Sequence, residues 1–95
     1  MKLIVKLPAK RTLLAVANWV ESKNTKGSGL RWLNKFYVYI EKNAKAVHAL
    51  PLCKYKVFKA KKLICLTYND WVIACKVEDN NVAVHAVIHR SWLQD

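Results

Sequence analysis

The stretch WVIACKVEDNNVAVHAVIH, residues 71–89, decides the fold. Trp71, Ile73, Cys75 and Val77 alternate with their neighbours, and Val82, Val84, Ala86 and Ile88 do so again, which is the period of a strand. Between them, Glu78-Asp79-Asn80-Asn81 gathers side chains suited to a tight turn, so two consecutive antiparallel strands are predicted. Thr67-Tyr68-Asn69-Asp70 is a second turn of the same kind. Upstream of it, Lys54 to Leu66 reads as one or two further strands, and Asn43 to Pro51 as an irregular connection.

Nearer the N-terminus the period changes. Leu30, Leu33, Tyr37 and Ile40 form one helical stripe and Trp32, Phe36 and Tyr39 a second, so a helix from about Gly29 to Lys42 is apolar around most of its circumference. The loop before it, Asn24 to Gly29, holds both glycines of the chain, and Ser28 is placed to cap this helix. Leu13, Val16, Ala17 and Val20 give an earlier amphipathic helix, from Pro8 to about Ser22. Lys2 to Leu7 alternates as a strand. The predicted class is α+β: an N-terminal strand, a two-helix hairpin, then an antiparallel strand meander, in the order β-α-α-β-β-β. With 95 residues and no repeat or linker, one domain over residues 1–95 is expected.

The formal charge of +11 is unevenly spread. Residues 1–62 carry fifteen Lys or Arg against Glu21 and Glu41, while residues 63–95 carry Lys76 and Arg90 against four acids. Solubility needs far less charge than that, so an anionic partner is expected, RNA or a nucleoprotein machine first. No apolar run approaches the roughly 20 residues that span a bilayer, and no secretory signal is visible, so the cytoplasm is the expected location. Cys53, Cys65 and Cys75 are odd in number and lack CxxC spacing, which reads as buried free thiols. His48, His85 and His89 show no metal-ligand pattern; neither a metal nor a cofactor is expected. By the period-2 rule His85 and His89 share a strand face.

Three stretches resemble the RelE/ParE superfamily of bacterial toxin components. Ala17 to Glu21 with Gly27 to Leu33 is similar to the helical hairpin of the ParE-like, plasmid-stabilisation branch. Trp71 to Asp79 is similar to the strand and acidic turn before the last strand, and Val82 to Arg90 to the last strand and the His at its end. The resemblance covers nearly the whole chain. It implies a RelE/ParE-like toxin domain that inhibits growth and is neutralised by an acidic antitoxin. It implies action either by cutting mRNA on the ribosome, as an mRNA interferase, or by poisoning DNA gyrase.

Cleavage of RNA by its own 2′-OH needs a base, positive charge at the phosphorane and an acid for the leaving oxygen. The candidates are His89, Arg90, Lys61 and Lys62. For nucleic-acid binding they are Lys54, Lys56, Lys59, Lys61, Lys62 and Arg90, the lysines lying where ribosome-dependent relatives meet RNA. The alternative for these lysines is a solvated strand edge. Trp32, Phe36 and Tyr39 are either core or an open stripe for the antitoxin. Two departures favour the gyrase-directed branch. Val72 and Ile73 stand where many ribonuclease members carry a polar catalytic residue, and no carboxylate neighbours the lysines. The density of charge favours the ribosome. A non-catalytic basic RNA-binding module is the third alternative.

Overall fold

The computed structural model describes residues 2–44 and 46–93, apart from the side chain of His48. The chain runs β1 (Leu3–Val5), α1 (Leu7–Lys23), α2 (Ser28–Ala44), a 3-10 turn (Val47–Ala49), α3 (Lys56–Lys59), β2 (Ile64–Tyr68), β3 (Trp71–Glu78), β4 (Asn81–His89) and a closing 3-10 turn (Arg90–Trp92). This is an α+β fold. Its four strands form one sheet in the order β1-β4-β3-β2. The meander is antiparallel, whereas β1 lies parallel to β4, with Leu3 opposite Val82 and Val5 opposite Val84. A parallel pair needs a long crossover connection, and the helical hairpin begins it.

The β3–β4 turn is a consequence of backbone sterics. Glu78 pairs with Asn81, and Asp79 and Asn80 between them both take positive φ, the two-residue turn whose twist matches the flanking strands. Asn69 does the same after β2, at φ 53°. Asn and Asp tolerate this region better than other residues with a β-carbon.

Both faces of the sheet are covered. Leu13, Phe36 and Ile40 from the helices pack with Ile73, Cys75, Val82, Val84 and Val87 on one face. Val72 and Ala74 point the other way, into a second cluster with Tyr55, Phe58 and Leu63. The segment expected to supply strands at Lys54 to Leu66 is therefore mostly a lid. It forms α3 and a turn across the second face, and only its end, from Ile64, joins the sheet. Tyr55 and Phe58, three apart, both turn inward, which a helical turn permits and alternation does not.

Glu21 and Gly29 set the helical hairpin. The Glu21 carboxylate accepts the Gly27 N–H at 2.7 Å and the Gly29 N–H at 2.8 Å, satisfying two donors at the start of α2. These backbone hydrogen bonds, and secondarily the charge of Arg31, hold its carboxyl below the usual range despite some desolvation. The cap expected from Ser28 thus comes from Glu21, while the Ser28 hydroxyl donates to the Val20 carbonyl at 3.3 Å.

The cysteine expectation is overturned in part. Cys53 and Cys65 form a disulfide that ties the start of the lid to β2, with their Cα atoms 5.0 Å apart. Spacing along the chain held no sign of it, because the lid's folding back is what brings the two together. Cys75 alone is free and buried. Among the described residues no helix is long and apolar enough to cross a membrane.

Candidate functional site

Inward-facing Tyr55, Phe58 and Leu63 leave Lys54, Lys56, Lys59, Lys61 and Lys62 on the outer surface of the lid, all exposed. The backbone beneath them is fixed at several points. Cys53 N–H donates to the Leu63 carbonyl at 2.8 Å and Leu63 N–H to the Phe58 carbonyl at 3.0 Å. None of the five lysines enters an ion pair among the described residues. They ride on a helical turn and a loop, which replaces the strand-edge alternative. Lys54 and Arg90 also line a shared hollow of about 410 Å³ beside the disulfide, with Tyr55 and Thr67.

His89 closes β4 opposite Trp71, whose ring it meets edge-on at 5.1 Å between centroids. Its Nδ1 accepts the Ser91 N–H at 3.2 Å and lies 2.8 Å from the Ser91 hydroxyl. With Nδ1 an acceptor, the neutral ring carries its proton on Nε2. Arg90 is anchored to Asp70 in the β2–β3 turn, through its backbone N–H at 2.7 Å and its guanidinium at 2.8 Å. Both side chains are largely exposed, so this pair contributes about 0–1 kcal/mol and matters for placement.

The four residues expected to form one catalytic set do not converge. Register places His89 opposite Trp71 and Trp71 opposite Tyr68, the last residue of β2. Lys61 and Lys62 precede Ile64, at the other end, and β2 alone spans about 13 Å at the usual rise per residue. His89 and Arg90 form one group and Lys61 and Lys62 another. The expected shared face of His85 and His89 also fails. Cys75 pairs with Val84 and Ala74 with Ala86, so His85 is the extra residue of a bulge that breaks the alternation. Its Nε2 meets Glu78, which also lies 3.5 Å from Lys6 Nζ. The His85 hydrogen bond is the main cause holding the Glu78 carboxyl below its usual range.

Phe36 is wholly core, 0 % exposed, and so leaves the set expected to contact an antitoxin. Trp32 and Tyr39 are half-buried: Trp32 stacks at a tilt on Phe36, and the Tyr39 hydroxyl donates to the Thr67 carbonyl. The His48 side chain lies outside the described residues. Among those residues no three His, Cys, Asp or Glu side chains converge as a metal centre requires.

Sequence reasoning missed an open groove of about 630 Å³ on the helix side of the sheet. Thr12, Ala15, Val16 and Trp19 form its α1 wall, and Asn69 and Asp70 rim it from the β2–β3 turn. Trp71, His89 and Trp92 complete it. Trp19 is 62 % exposed and Trp92 71 %. The periodicity 12, 15, 16, 19 is visible in the sequence, but its convergence with residues 69–71 and 89–92 needs the sheet. No family model and no curated protein matches the chain.

Proposed function

We propose that this protein binds RNA through the lid lysines and is the toxin component of a toxin–antitoxin pair of the RelE/ParE kind, inhibiting translation. The carrying observation is the lid itself: five exposed lysines in nine residues, none in an ion pair among the described residues, on a backbone tied to β2 by the Cys53–Cys65 disulfide. Such an array favours a dense phosphate surface, whose counterions it releases on binding. The order of strand, helical hairpin and three-strand meander supports the family reading. In this reading the protein acts in the cytoplasm, and an acidic antitoxin covers the lid. Cleavage of mRNA would use the protonated, imidazolium form of His89 as acid, its proton passing to the leaving 5′-oxygen and leaving the neutral ring, with the ribosome positioning the substrate and supplying the groups this chain does not assemble.

The separation of His89 and Arg90 from Lys61 and Lys62 favours a second reading, a ParE-like gyrase inhibitor without nuclease activity. A single experiment divides the two. In cells induced for the protein, mRNA ends are mapped at codon resolution while cleaved gyrase–DNA complexes are trapped from the same culture. Codon-phased ends that vanish in the His89→Ala, Arg90→Ala variant support translation as the target. Intact mRNA with trapped gyrase complexes selects the second reading, and harmless expression of the soluble protein rejects the toxin function altogether.

A further inference from the structure

The α1 groove is more than a gap in packing. Two indoles at its mouth are mostly exposed, an arrangement that is costly in water unless something covers them. From Trp92 a run of aromatic rings leads through His89 to Trp71, with centroids 6.4 and 5.1 Å apart along it. The one carboxylate at the rim among the described residues, Asp70, is already taken by Arg90. Helical periodicity puts Arg11 one turn before Ala15 and Lys23 one turn after Trp19, so exposed cations stand at both ends of the α1 wall.

An apolar, aromatic slot with cations at its ends and, among the described residues, no free acid matches a base carried on a phosphate chain. Exposed aromatic faces stack on any base, and flanking cations track the backbone. The Asn69 amide and His89 Nε2 offer hydrogen bonds to a base edge. We infer that this groove seats an unpaired base of a single-stranded RNA, stacked against Trp19 and Trp92, with Arg11 and Lys23 on the adjoining phosphates. The inference rests on the RNA-binding reading above and gives it a second site, on the opposite face of the sheet from the lysine lid.

The test compares two probes of equal charge, an eight-nucleotide oligouridine and an abasic ribose-phosphate oligomer of the same length, by fluorescence polarisation. The wild-type protein should prefer the base-bearing probe by roughly five- to 150-fold, the range for one stacked base. Trp19→Ala and Trp92→Ala should erase that preference while leaving affinity for the abasic probe unchanged. Trp19→Phe should restore part of it. Thermal midpoints of all variants verify folding. Equal binding of the two probes by the wild type overturns the groove while leaving the lysine lid intact. Binding of neither probe rejects the RNA reading and the groove with it. A base preference that survives in both alanine variants overturns the inference, and capture of an acidic peptide with leucine anchors by the wild type but not by those variants would make the groove a protein-docking site instead.

Discussion

Gly29 lies so close to Ala17 that a β-carbon on Gly29 would overlap the Ala17 carbonyl oxygen, with Glu21 Cβ only 3.2 Å away. The crossing of α1 and α2 is therefore set by a missing side chain. Gly29→Ala adds intrinsic helix propensity worth up to about 1 kcal/mol but forces backbone apart from backbone, and overpacking of this kind costs typically about 1–3 kcal/mol. A lowered urea midpoint with an unchanged slope is expected. Leu30→Ala, at an exposed neighbouring position, should shift the midpoint little. Equal midpoints for Gly29→Ala and wild type would show that the helices do not touch there.

Glu21 makes the same hairpin sensitive to acid. Its folded pKa is depressed, chiefly by the Gly27 and Gly29 N–H groups, so its stabilisation is present above the unfolded carboxylate range and is lost as pH falls through the folded value. The difference in thermal midpoint between wild type and Glu21→Gln should be largest near neutral pH and shrink below about pH 4.5, the ordinary glutamate value. A difference that stays constant from about pH 7 to about pH 3 would assign the effect to shape alone.

Each element was legible in the sequence to the extent that its signal is local. Asp79-Asn80 reads correctly because positive φ narrows the choice of residue, and the helical pair reads correctly because seventeen-residue elements show their period plainly. Lys54 to Lys62 misleads because nine residues are too few to separate a period of 2 from 3.6 when Lys alternates with Tyr and Val at its start. The bulge at His85 shifts register without any mark in composition. Lys2 to Leu7 announces a strand but not its partner, since β4 lies beyond both helices, the lid and the first two strands of the meander. At the candidate site the lysines were evident one by one, whereas the groove joins three distant segments and the split between His89 and Lys62 is a matter of register.

The disulfide gives the lid a measurable redox dependence. Closing a loop of this length stabilises a chain by about 2–3 kcal/mol. Reduction, or the Cys53→Ser, Cys65→Ser double variant, should lower the urea midpoint accordingly. Cys75 provides an internal control, since burial pushes its thiol up to about 11. After reduction, the half-buried Cys65 should alkylate in the folded protein at neutral pH and Cys75 only on unfolding. Modification of the two at one rate would contradict the buried placement of Cys75.

The lysine lid makes the last prediction, and the choice of positions matters. Lys62 takes φ 59°, and Lys54 Nζ sits 5.2 Å from the Tyr55 ring centre, so changing either also perturbs the lid. Lys56, Lys59 and Lys61 are exposed and free of both complications. Their triple replacement by Glu should change stability by less than about 0.5 kcal/mol per site, since no buried contact is lost. Binding to a single-stranded RNA should fall steeply. Wild-type affinity should decline linearly with salt on logarithmic axes, and if each lysine neutralises one phosphate, their loss should reduce that slope by about 2. Lys10→Glu, on the first turn of α1 away from the lid, controls for overall charge. A triple variant that binds no worse than wild type, or that loses affinity only in proportion to the Lys10 control, would show the lid to be a solvated surface.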